Sequence, residues 1–404
     1  MKVSFPQQLF WSLPILLAFL LPIGGSILSF VIVAWLLFSF FNLNRKQIQK
    51  GLRTKAFWYF LFFFIYTCLS AAISKNKTEA LSAIEIKLSF LLFPWLYFCF
   101  EYPAQILKKC LVAFVSGNFF ACLYLLLRAT VYAVKGDADY FFYTKFSDFI
   151  HASYFSMYLI FAITIIVMFY GKWFHFQKQM QYLSYFFIAL FTLCIFLCSS
   201  KLGIISFFIL VPMLFLYKNP RFLKLKFLVL TALACVLLFV VAYKTFPDSF
   251  QRLNSITNLH LSAIDKTSKE STTVRILIWQ QAWTLSLQNP VFGLGVGDAN
   301  NYLYEAYAAN GLTGALQYHL NAHNQYLQSF IGLGLIGLVL LFQFTWIQLL
   351  KAFQSKRFLL FVFAFLISFN FLVESMLQTA AGVLFFCFFY CFNHLVTEKN
   401  LYNA

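Results

Sequence analysis

Apolar runs fill most of this chain, and short polar breaks cut them to lengths that suit a bilayer. A helix needs roughly 17–25 apolar residues to cross the hydrocarbon core. On that criterion the pattern predicts about twelve spans, over residues 9–22, 24–42, 57–73, 88–101, 110–134, 152–170, 183–198, 202–217, 227–243, 326–350, 358–374 and 376–395. The expected fold is an all-α polytopic membrane protein, with residues 1–404 as one integral membrane domain. Met1–Gln8 leads into Leu9–Leu21 without a small-x-small cleavage pattern, so the first run reads as a retained helix. No internal repeat is visible.

One polar break is long, residues 244–325, and it carries its own helical signals. After a polar stretch over Asn254–Thr273, Thr272 or Thr273 is placed to cap a helix over about Val274–Gln288, which Asn289-Pro290 stops. Its apolar residues, Leu277, Ile278, Trp279, Ala282, Trp283 and Leu285, suit a helix lying on the bundle or the bilayer. Phe292-Gly293-Leu294-Gly295-Val296-Gly297-Asp298 is a glycine-rich turn. Asp298 is positioned to cap a second helix, about Ala299–Asn310, ending at Gly311. The long break is therefore expected to be a folded lid rather than a linker.

Composition removes the soluble alternatives. The chain is 62% hydrophobic and 11% charged, with 56 phenylalanines, far from the half-apolar, quarter-charged balance of a soluble domain. All nine cysteines fall in or beside apolar segments. The i,i+4 pairs Cys194/Cys198 and Cys387/Cys391 lack neighbouring ligands, which favours buried packing over metal binding.

Charge then orients the bundle. Arg45, Lys46, Lys50, Arg53 and Lys55 occupy one connection; Lys218, Arg221, Lys224 and Lys226 another; Lys172, Lys178, Lys351, Lys356 and Arg357 continue the series. By the positive-inside rule these loops and both termini are cytoplasmic. Most acids, including Asp137, Asp139, Asp298 and Glu305, fall on the opposite side, with Glu374 at an outer helix end. The net charge of +17 is thus an orientation signal spread over short loops, which argues against a nucleic-acid partner.

The candidate chemistry collects on the outer side. His323 stands in Asn321-Ala322-His323-Asn324-Gln325, where the lid meets the tenth span. Arg275 opens the first lid helix with Trp279 one turn later, and Lys201 sits in the very short turn Ser199-Ser200-Lys201. Charges held at a membrane boundary are functional candidates. Two cations and an imidazole suit a substrate with concentrated negative charge in a lipid setting, such as a diphosphate. Neighbouring cations would also favour a neutral imidazole, the form a general base requires. Asn324, Lys87 (placed at the outer start of the fourth span) and His151 (at the start of the sixth) are supporting candidates, and Arg128 lies within the fifth.

Each has a plainer reading. An isolated interfacial histidine is more often an anchor or cap, and interfacial Arg and Lys usually snorkel to headgroups. Asp137-x-Asp139 is a weak metal signal, and the Leu320-Asn321-Ala322 between His319 and His323 omits the glutamate of a zinc helix. No metal or cofactor is expected. Gly293-x-Gly295-x-Gly297 is either a phosphate cradle or a plain turn, and Gly332-x-Gly334-x-x-Gly337 reads as close helix packing.

Taken in order, Arg275-x-x-x-Trp279, Asn289-Pro290, Phe292–Gly297, His323-Asn324-x-Tyr326-Leu327 and Gly332-x-Gly334-x-x-Gly337 resemble the O-antigen ligase/O-antigen polymerase family, over about 199–345 and most strongly 275–340. The resemblance implies a GT-C-like membrane glycosyltransferase in the bacterial plasma membrane, its active site facing the periplasm. Such enzymes move a glycan from undecaprenyl diphosphate to a sugar hydroxyl of lipid A-core or of another glycan, without metal and with inversion. It implies His323 as the base and Arg275 as a diphosphate ligand. Lys201 stands where the family usually has arginine, which keeps the charge and loses the fork. The His-Asn and Arg-x-x-x-Trp elements favour ligase over polymerase. A transporter is the rival from another class; it predicts charged or broken helices near mid-bilayer, where Arg128 is the candidate charge.

Overall fold

A computed structural model describes residues 4–173, 178–219, 272–396 and 398–402, with isolated positions between 237 and 267. Among these residues there are helices and turns and no strand. The first half runs α1 (Phe5–Leu20), α2 (Ile27–Phe40), α3 (Arg45–Leu52), α4 (Lys55–Ile73), α5 (Lys77–Lys87), α6 (Ser89–Phe98) and α7 (Ala104–Val134). Then come α8 (Ala152–Ile165), prolonged by a π-helical turn over Ile166–Tyr170, α9 (Lys178–Leu197) and α10 (Lys201–Lys218). The lid contributes α11 (Thr272–Ser286), α12 (Ala299–Ala309) and α13 (Thr313–Gln317). The chain closes with α14 (Gln325–Phe344), α15 (Trp346–Gln354), α16 (Phe358–Val373), α17 (Ala380–Leu395) and α18 (Glu398–Tyr402).

Seven described helical segments are long and apolar enough to cross a membrane, and the shorter apolar helices α1, α2, α16 and α17 accompany them. The expected ninth span, 227–243, and the polar stretch 254–273 lie almost wholly outside the described residues, as does Cys235. The fourth span needs correction. Its helix starts at Lys77, not at 88, because Asn76 caps it by accepting the Glu79 N–H, and α5 runs almost unbroken into α6. Lys87 therefore lies ten residues into a 22-residue helical segment, Lys77–Phe98, roughly 15 Å along its axis.

Every residue of α8 is buried, and α7, α9, α10 and α16 pack around it. Lipid tails supply no hydrophobic drive between helices, so shape and ring geometry must hold the bundle. Phe60 lies 4.8 Å from Phe344 and 4.9 Å from Tyr390 in edge-on contacts, an arrangement that the ring quadrupoles favour. The lid has a separate small core of Val274, Ile278, Ala282, Leu303, Tyr307 and Leu312 closed by Ala322 and Ile331.

The lid is fixed to the bundle by backbone. Gly334 breaks α14 with φ 63° and ψ −161°, a combination essentially reserved for glycine. The 290–297 loop lies against the break, with Leu335 N–H donating to Pro290 O and Leu294 N–H to Ile331 O, both at 2.7 Å. On its other side Val296 and Gly297 N–H donate to the Ser70 and Ser74 hydroxyls, each at 3.1 Å. A Cβ on Gly334 would stand 2.3 Å from Val291 O, and one on Gly297 2.5 Å from Asn76 O. The close-packing reading of Gly332-x-Gly334 stands, and the plain-turn reading of Gly293–Gly297 is favoured over a phosphate cradle, because the Gly293, Leu294, Val296 and Gly297 N–H groups already bond within the protein.

Two capping expectations also change. Asp298 precedes α12, whose span and terminal Gly311 (φ +68°) match expectation. Its carboxylate, however, accepts Lys75 and Asn76 N–H, both at 2.7 Å, instead of capping α12. Thr272 and Thr273 lie inside α11 rather than before it.

Candidate functional site

The run Asn321–Gln328 is held from both sides. Asn324 is in extended geometry and caps α14 by accepting Leu327 N–H at 3.0 Å. Its amide then reaches across to Leu372 O (3.0 Å), and its backbone N–H to the Ser375 hydroxyl (3.2 Å). Gln325 accepts Leu377 N–H at 2.6 Å. Gln328 accepts Ala322 N–H and donates to Asn300 of the lid, both at 2.9 Å. The segment Leu372–Leu377, which joins α16 to α17, is thereby clamped beside His323.

His323 itself has φ +44°, a left-handed conformation that costs a non-glycine residue of order 1–3 kcal/mol. Its N–H donates to Asn321 Oδ1 at 2.9 Å. The strain is maintained by the clamp on either side, and it turns the imidazole toward Glu374. His323 Nδ1 lies 3.5 Å from Glu374 Oε2. That nitrogen is buried and has no aligned hydrogen bond among the described residues.

Glu374 is the centre of the cluster, and sequence reasoning recorded it only as an outer acid. Arg275 Nη2 approaches its Oε1 at 3.4 Å while Nη1 donates to Val373 O at 2.9 Å. The Ser153 hydroxyl lies 3.4 Å from the same Oε1 and 2.9 Å from His151 Nδ1. His151 also accepts Ser153 N–H at the start of α8, which is the capping role weighed for it. Burial pushes the Glu374 carboxyl up, but the adjoining His323 imidazole and the charges of Arg275 and His151 outweigh it and bring it from 4.5 down to about 2. It is an anion at neutral pH, with the side chain only 9% exposed. The signal that would have found it is the one applied to Lys201: a charge at the end of an apolar helix with no loop to escape into.

This anion changes the electrostatic expectation for the site. Only cations were named from sequence as neighbours of the imidazole; the structure also places the Glu374 carboxylate beside it. Arg275 uses two of its five N–H donors here among the described residues, and three remain for another anion.

Lys201 opens α10, where Ser200 caps the helix by accepting Gly203 N–H at 3.2 Å. A Cβ on Gly203 would stand 2.5 Å from Ser156. α10 thus begins against α8 one turn below Ser153, which puts Lys201 at the same end of the bundle as Glu374.

Residues 186–342 match the family described as O-antigen ligase. Over that stretch the chain is similar to the O-antigen ligase family. No curated protein matches it. The matched region runs from within α9 to within α14 and contains Lys201, Arg275 and His323; Glu374, Ser153 and His151 lie outside it. The match supports an O-antigen ligase/polymerase-type function in a chain rich in membrane-length apolar helices.

Other candidates fall elsewhere. Trp279 packs into the lid core, and its Nε1 has no partner among the described residues. Lys87 is 2% exposed, on the face of α5 that also buries Ala80 and Ala83. Arg128 pairs with Asp148 and donates to Phe146 O at 3.3 Å, so it ties α7 to the following loop. Asp137 and Asp139 both hold Lys145 at 3.2 Å. The transporter reading asked for a broken helix, and α14 is broken; its freed groups meet the 290–294 backbone.

Proposed function

We propose that this protein is an O-antigen ligase-type glycosyltransferase acting on the outer face of the plasma membrane. It moves a glycan from undecaprenyl diphosphate to a sugar hydroxyl of lipid A-core. The observation that carries the reading is the convergence of His323, Arg275 and Glu374 from three separate parts of the chain.

His323 Nδ1 faces Glu374, which leaves Nε2 for the acceptor hydroxyl. As the hydroxyl oxygen attacks the anomeric carbon, its proton passes to Nε2, and the bond to the diphosphate oxygen breaks on the opposite face of the ring. The configuration inverts, and the leaving group departs with the bonding pair. Glu374 acts as a positioning residue: it orients the ring and stabilises the imidazolium, a role carboxylates play in other base-dependent sites. The free donors of Arg275 and the ammonium of Lys201 grip the diphosphate as its charge localises. No metal enters the scheme, so a chelator should leave transfer unchanged. The lid faces the periplasm, both termini are cytoplasmic, and the GT-C likeness follows from this reading.

The test is the glycolipid profile of a strain lacking the protein, complemented by the wild type or by His323→Ala. Uncapped core with accumulated long lipid-linked polymer supports the ligase. Core capped by a single repeat would reassign the protein as a polymerase. Normal glycolipids in the deletion strain would remove it from this chemistry altogether.

A further inference from the structure

One turn of the lid does not stay above the bundle. Three hydroxyls of α4, on Ser74, Ser70 and Tyr66, stand one helical turn apart, and the lid loop bonds to each in succession. Gly297 N–H donates to Ser74 and Val296 N–H to Ser70, and the Tyr66 hydroxyl donates to Phe292 O at 3.2 Å. α4 is long and apolar enough to span over Lys55–Ile73, and lysines at 55 and 75 bracket it. From Ser74 to Tyr66 the loop therefore descends about 12 Å, at 1.5 Å per residue. Half of a hydrocarbon core is only about 15 Å.

Non-helical backbone at that depth is tolerated where protein satisfies its polar groups, and this turn meets the condition. Gly293 N–H donates to Asn289 O at 2.9 Å, while Pro290 O accepts Leu335 N–H and Leu294 N–H reaches Ile331 O, both at 2.7 Å. The side chains point the other way. Val291 and Phe292 are 47% and 57% exposed, and Trp283, which meets the Phe330 ring at 5.8 Å, is 53% exposed. The two helices that hold the turn expose apolar side chains of their own beside it: Leu69, one turn from Tyr66 on α4, and Leu335 on α14. The turn thus continues the apolar surface that two spans present to lipid. Gln288 and Asn289, also exposed, lead into it and give it a polar shoulder, the mixed pattern of an element seated at the membrane interface.

We propose that the lid is a membrane-inserted element rather than a cover held in water. Val291 and Phe292 sit among the acyl chains of the leaflet on the lid's side, and Trp283 lies nearer the head groups, where tryptophan is favoured.

Full-length protein carrying Phe292→Cys is labelled with a thiol-reactive nitroxide and reconstituted in phosphatidylcholine vesicles. Electron paramagnetic resonance then measures collisions with oxygen, which concentrates in lipid, and with a water-soluble nickel chelate present on both sides. Leu69→Cys serves as the lipid reference and Glu305→Cys, at an exposed position of α12, as the water reference. Unsubstituted protein sets the background; its described cysteines are buried apart from the partly buried Cys68. The oxygen-to-nickel ratio at 292 should match that at 69 and exceed that at 305 several-fold. Val291→Cys should behave alike, which keeps the test decisive if one variant fails to fold. A ratio at both positions equal to that at 305 places the turn in water and overturns the proposal. Shielding from both reagents that disappears on dilution of the protein in lipid means that a second copy covers the turn, and overturns it as well. Loss of oxygen collisions at 292 but not at 69 on adding a polyprenyl diphosphate assigns the face to that ligand's tail instead of the bilayer, and also overturns it.

Discussion

Two charged clusters sit at one end of this bundle, and they are built on opposite plans. In the first, Arg128, Asp137, Asp139, Lys145 and Asp148 pair within a single loop and its preceding helix. Its acids stay wet: Asp148 is 54% exposed and Asp139 81%. In the second, Glu374 meets Arg275, His323 and Ser153 across separations of 99, 51 and 221 residues, and is 9% exposed. The first sets two cations against three carboxylates in contact with water, so it can do little more than fasten a loop. In the second, one buried anion serves a guanidinium, an imidazole and a hydroxyl, and the imidazole is held in a strained backbone. Shared, desolvated charge of that kind is where perturbed titration and chemistry are found together.

The contrast breaks most sharply at His323. Replacing it with alanine should cut transfer by about 10²–10⁴, the usual contribution of a positioned base, with membrane insertion unchanged; full activity in that variant removes the base assignment. Lys201→Ala should lower the rate by roughly 10²–10³, whereas Lys201→Arg should retain it, and an indifferent Lys201→Ala makes the residue an anchor.

Glu374→Gln should cost about 10–10³-fold in transfer. The same variant tests stability. The carboxyl titrates near 4.5 when unfolded and about 2 when folded, so its contribution is complete above 4.5 and fades as pH falls toward 2. The difference in Tm between wild type and Glu374→Gln should shrink across that window; a constant difference would mean the charge is not what stabilises. Arg128→Gln should cost only about 1 kcal/mol of stability and leave transfer intact. Loss of activity there would erase the distinction between the clusters.

Local signals carried much of this structure. The apolar runs, the span of α12 and its Gly311 stop, the turn at Asn289-Pro290 and the close packing at Gly332 and Gly334 are all consequences of neighbours in the chain, so pattern reading reaches them. His323 and Arg275 were legible as charges at a boundary. Their meeting was not, because it depends on Asn324 and Gln325 holding a segment some fifty residues downstream. Glu374 escaped as a lone acid amid apolar sequence. Lys87 was misplaced because Lys77–Lys87 is polar enough to read as loop, yet Asn76 starts a helix there. Asp298 fits a cap by position, but the two N–H groups of the α4–α5 turn compete for it and win.

The thread of lid backbone through the break in α14 also dictates an order of events during synthesis. Ser70 and Ser74 leave the ribosome more than two hundred residues before the amides they accept, at separations of 226 and 223. In the interval Ser74 can donate to Ser70 O within its own helix, as it does at 2.9 Å in the fold, whereas the Ser70 hydroxyl waits for Gly332 O, its partner at 2.9 Å. Closure must then wait until Gly334 has emerged and its helix has been inserted. That closure is a long-range one, slow by its topology, and His323 can meet Glu374 only after the helix Phe358–Val373 has followed it.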